Sequence, residues 1–117
     1  MKFEHEVIFC IVNAGFSDLV MEAAKECGAS GGTVIHARGT ASLEAEKLYG
    51  ITIQPEKEIV MILVPKEIKD SVLHAVYNSA GIKTPGQGIA FAMPVNAVVG
   101  LSKKEKAEEK DKDTSEE

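Results

Sequence analysis

Two runs of this chain, Val7-Ile8-Phe9-Cys10-Ile11-Val12 and Ile59-Val60-Met61-Ile62-Leu63-Val64, are apolar at every position. Each has the length of a strand and is short for a helix. Successive side chains of a strand point to opposite faces, so a strand with no polar position needs cover on both. A chain of 117 residues is large enough for one core without disulfide staples, so the two runs predict a single sheet buried on both sides.

The remaining elements arrange themselves around those runs. The first strand spans 6–13. After Asn13-Ala14-Gly15, the residues Phe16, Leu19, Val20, Ala23, Ala24 and Cys27 recur at three- and four-residue steps opposite Asp18, Glu22, Lys25 and Glu26, which predicts an amphipathic helix. Ser17 is its expected N-cap and Gly28 its expected left-handed C′ residue. The β-branched stretch 31–38 reads as the second strand, and 57–64, stopped by Pro65, as the third. Pro65 opens a second helix over 66–79, with Ile68, Val72, Ala75, Val76 and Ser79 as its stripe. A glycine-rich loop, Lys83-Thr84-Pro85-Gly86-Gln87-Gly88, leads into a last strand over 89–101, where Pro94 marks a bulge or an edge.

The order β-α-β-β-α-β predicts an α+β, ferredoxin-like domain: an antiparallel four-stranded sheet with both helices on one face. Two helices cover one face, and the two-faced strands leave the other apolar. That surplus predicts an obligate oligomer with the sheets packed inward. Residues 1–101 form the domain. Residues 102–117 carry five basic and seven acidic side chains with Ala107 as the one aliphatic residue, which predicts a solvated tail.

Composition narrows the function. A formal charge of −5 argues against binding to a phosphate backbone, so nucleic acid is not an expected partner. No apolar run approaches the length of a membrane span, and Met1-Lys2-Phe3-Glu4-His5-Glu6 lacks the flank and core of a signal peptide, so a cytoplasmic location is expected. Cys10 and Cys27 then read as small buried hydrophobes. His5, His36 and His74 fall on three elements without local Ser, Asp or Cys partners, which gives no catalytic constellation and no expected metal.

Loops carry what signal there is. Residues 39–56 join strands two and three, where a turn of a few residues would suffice, and loops of that length in compact domains usually have a function. Gly86-Gln87-Gly88 sets two glycines around one polar residue, an arrangement whose backbone N–H groups can converge on an anion.

The βαββαβ order, Gly32-Thr33-Val34 leading to Arg38-Gly39, the long loop, Val64-Pro65 and Gly86-Gln87-Gly88-Ile89-Ala90-Phe91 together resemble the PII nitrogen-regulatory signal transducers over about residues 5–101. The resemblance implies a non-enzymatic homotrimer that binds an adenine nucleotide (ATP, ADP or AMP) between subunits. It implies that the long loop, the family's T-loop, regulates a transporter or a metabolic enzyme. It places the ligand on Arg38, Gly39, Thr40 and Ala41 at the loop base and on Gly86, Gln87, Gly88 and Ile89 opposite. A bulky side chain at Gly86 or Gly88 is expected to abolish binding and spare the assembly. Tyr49, six residues before Pro55, stands where the family's uridylylated tyrosine precedes its own proline and is a candidate for modification.

The sequence also departs from the family. Ile89 replaces the phosphate-binding lysine, Gly100 and Ser102 stand where arginines are usual, and the long loop is shorter. Each lost cation removes a charge-assisted hydrogen bond, so ATP is expected to bind no better than ADP or AMP. Two alternatives use the same fold: a CutA-like trimer holding a divalent metal through His5, Cys10 and His36, and a small ferredoxin-like enzyme.

Overall fold

The computed structural model describes residues 4–40, 47, 48, 50, 55–80, 82 and 88–101. Among the described residues, four strands and two full helices follow in the expected order: β1 His5–Asn13, α1 Ser17–Glu26, β2 Thr33–Arg38, β3 Glu56–Pro65, α2 Lys69–Ser79 and β4 Gly88–Val95. The sheet runs β2-β3-β1-β4 and every pairing is antiparallel. The two all-apolar strands, β1 and β3, are its centre. Strands with apolar side chains on both faces bury most area there; the mixed β2 takes one edge and β4, which carries Pro94, the other.

Alternation divides the sheet into two faces. Ile8, Cys10 and Val12 of β1 and Val60, Ile62 and Val64 of β3 are fully buried with Val20 and Ala24 of α1 and Val72 and Val76 of α2. This is the covered face. Each fully buried Val or Ile in it contributes about 1.5–3 kcal/mol relative to an exposed one. On the other face the register lines up Val7 with Leu63 and Met93, Phe9 with Met61 and Phe91, and Ile11 with Ile59 and Ile89. The rings of Phe9 and Phe91 stack at 5.5 Å with 25° between their planes. No described helix lies on this side, and Ile89, Phe91 and Met93 remain exposed.

Both ends of α1 have local causes. At its C-terminus Gly28 adopts φ 105°. Its N–H reaches the Lys25 carbonyl at 3.0 Å and that of Ala29 reaches Ala24 at 3.1 Å, the paired bonds of a Schellman turn. The N-terminus corrects the sequence reading. Phe16 occupies the N-cap position with no side-chain cap, and Ser17 is the first helical residue. The stripe is also narrower than expected, because Phe16 is 36% and Leu19 41% exposed while Ser17, Val20, Ala23 and Ala24 are buried.

Two further boundaries move. The expected helix over 66–79 divides into a 3-10 turn, Lys66–Ile68, and α2; Pro65 is the last residue of β3 and caps that turn in an extended conformation. The last strand ends at Val95 and not at Leu101. Val95 pairs with His5, the first residue of β1, so the ladder has no further rung to offer.

Candidate functional site

The C-terminal ends of β1 and β2 and the N-terminal ends of β3 and β4 lie at one end of the sheet, where the long loop leaves and returns. Short bonds fix the loop root. The Gly39 N–H donates to the Pro55 carbonyl at 2.8 Å and the Ala14 N–H to that of Glu56 at 3.2 Å. The Lys57 ammonium donates to Asn13 Oδ1 at 2.5 Å.

These ties border an open cavity of about 390 Å³ lined by Ala14, His36, Ala37, Arg38, Glu56 and Lys57. Two fixed cations, Arg38 and Lys57, face it with one carboxylate, Glu56. The described partner of Lys57 is a neutral amide oxygen, so that contact leaves its charge uncancelled. A small anion suits such a lining.

Glu58 lies just beneath. Its side chain is buried and its carboxylate accepts from the Gly15 N–H at 2.7 Å and from the N–H and hydroxyl of Ser17. Those bonds, led by the one from Gly15, hold its carboxyl below the usual range, and the imidazole of His36, 3.9 Å away, acts in the same sense. Here is the cap that Ser17 was expected to supply. A carboxylate from β3 serves the first turn of α1, where a negative charge also suits the helix dipole.

The site residues named from the sequence fall into two groups. Arg38, Gly39 and Thr40 lie at the β2 edge of this end, and Gly88 and Ile89 at the β4 edge, with β3 and β1 between them. Three strand spacings separate the strand ends by about 14 Å. Ala41, Tyr49, Gly86 and Gln87 lie outside the described residues. Gly88 is a β4 residue opposite Val12, and a Cβ there would come within 2.9 Å of the Ile11 carbonyl oxygen. A valine at Gly88 would therefore strain the β1–β4 ladder of the subunit itself. Ile89, 56% exposed, belongs to the apolar row of the open face with Phe91 and Met93.

Sequence reasoning missed Lys57 and Glu58, whose signal was their closeness to Pro55 at the loop's return. It also missed an open groove of about 620 Å³ at the other end of the sheet, between the 30–33 turn and Val95–Val99, floored by Val7, Met61 and Leu63.

The metal-binding alternative fails on register. His36 faces Glu58 and Glu58 faces Val12, seven residues along β1 from His5, a distance of about 23 Å. Cys10 points into the core beneath the helices, where burial pushes its thiol up to about 11. The three side chains do not converge.

Residues 6–105 match the family model described as nitrogen regulatory protein P-II. The chain belongs to the P-II family. Among solved structures, the crystal structure of Arabidopsis thaliana PII bound to citrate aligns with a TM-score of 0.63, over 86% of this chain and 82% of that one, at 23% identity. That likeness is one of fold. This P-II protein is thus a PII-like signalling protein, and among its described residues no helix is long and apolar enough to cross a membrane.

Proposed function

We propose that this P-II protein is a cytoplasmic, non-enzymatic homotrimer that senses a small anionic effector, an adenine nucleotide, in the clefts between subunits. In this reading its 39–56 loop carries the signal to a transporter or a metabolic enzyme. The observation that carries the reading is the open apolar face of the sheet, bordered by the cationic cavity at the loop root. A second and third copy would bury Phe9, Ile59, Met61 and Phe91. Packing edge to edge would also bring the β4 end of one subunit toward the β2 end of the next. Arg38, Gly39, Thr40 and Ala41 would then meet Gly86, Gln87, Gly88 and Ile89 across a subunit boundary, which the separation of about 14 Å within one chain favours.

Coupling follows if the effector binds one conformation of the loop better than the others, because a ligand shifts an equilibrium only by its differential affinity. With Ile89 and Gly100 in place of cations, the third phosphate of ATP adds charge without partners. Isothermal titration with ATP, ADP and AMP tests the proposal. The expected result is measurable binding with ATP no tighter than ADP or AMP. A clear preference for ATP would assign its third phosphate to Lys83, Lys103 or Lys104, and no heat from any of the three would overturn the nucleotide assignment.

A further inference from the structure

The carboxylate of Glu58 touches three elements at once. From β3 it accepts the Gly15 N–H at 2.7 Å and both donors of Ser17, and it lies 3.9 Å from Nδ1 of His36 on β2. Its strand neighbours carry the rest of the loop root: Lys57 is tied to Asn13, and the Glu56 carbonyl accepts the Ala14 N–H. Ala14 and His36 are two walls of the loop-root cavity, and each is adjacent in sequence or in space to an atom that Glu58 holds. A buried carboxylate on a central strand leaves its donors unsatisfied if it is removed.

We propose that Glu58 is a positioning residue of the loop root, which fixes the 14–17 turn against β2 and β3 and so sets the shape of the anion cavity without touching its occupant. The cavity's occupancy rests on the function proposed above; the mechanical coupling does not. If Glu58 acts across the cavity, loosening it must loosen the far side as well, at the Gly39 N–H that donates to Pro55. Electrostatics sharpens the distinction. Removing a negative charge beside an anion site should tighten anion binding if charge were all that Glu58 contributed, whereas loss of cavity shape weakens it.

The test is amide hydrogen exchange and ADP titration on the full-length chain and on Glu58→Gln, which keeps the size and loses the charge. Exchange at Gly15, Ser17 and also Gly39 should quicken by tenfold or so in the variant, and ADP should bind about tenfold more weakly. Faster exchange at Gly15 and Ser17 with Gly39 unchanged would reduce Glu58 to a local helix cap and overturn the proposal. Unchanged or tighter ADP binding would overturn it equally. If the unaltered chain does not bind ADP, the nucleotide reading fails and the exchange at Gly39 still decides the role of Glu58. Should Glu58→Gln not fold, Ser17→Ala removes one bond of the set and should give the same two readouts at smaller amplitude.

Discussion

The two faces of the sheet are built from the same strands and the same kinds of residue, yet one is closed by its own helices and the other is not. On the covered face Ile8, Val12, Val60, Ile62 and Val64 are sealed by α1 and α2. On the open face Phe9, Ile11, Ile59, Met61 and Leu63 are flanked by one another and by the edge residues of β2 and β4, with no described helix over them. Burial thus separates the apolar surface that the chain covers by itself from the apolar surface that it leaves uncovered. The chain's own helices seal the first face, whereas the second is apolar surface that a lone chain would leave in water.

A charge placed on each face in turn should have opposite consequences. Ile62→Asp places a charge in the sealed layer, where an unpaired carboxylate costs several kcal/mol, and should yield no folded protein by circular dichroism. Phe91→Asp, on the open face, should leave the helical signal intact and lower the solution mass to one chain. If both variants unfold alike, the two faces form one inseparable core and the contrast is lost.

A smaller effect separates the loop root from both faces. The carboxyl of Glu58 is held below its ordinary range in the folded chain. Its contribution is therefore fully present above the unfolded carboxylate value of about 4.3 and is lost as pH falls through the lower folded value. Glu58→Gln should lower the melting temperature at neutral pH by some degrees and flatten its decline in acid below about pH 4. An identical acid limb in both proteins would show that Glu58 does not titrate with folding. The smallest effect is expected from deleting 102–117, a stretch outside the described residues whose composition offers almost nothing to bury. The melting temperature and mass should not change, and a loss of more than a few degrees would show that the tail docks.

What could be read from the sequence was whatever one element's own pattern determines. The apolar runs of β1 and β3 gave the central strands. Gly28 marked the end of α1 to the residue, because a left-handed C′ position calls for glycine. What could not be read was set by neighbours distant in the chain. The cap of α1 comes from Glu58, forty-one positions beyond Ser17 in the numbering. The end of β4 is set by the start of β1, not by anything in the still apolar stretch Ala97-Val98-Val99. Gly88 looked like an anion loop and is also a strand residue pressed on the β1 backbone. Arg38 ends β2 and Gly39 follows it at the loop root, while Lys57, a strand residue of β3, gave no local sign of its bond to Asn13.

The central claim is that the open face is where copies of this chain meet, and the mass in solution tests it most directly. Multi-angle light scattering of the unaltered chain at micromolar concentration should give three chain masses, held on dilution across the accessible range. A single chain mass under those conditions would contradict the account, since no second copy would then cover Phe9, Ile59, Met61 and Phe91.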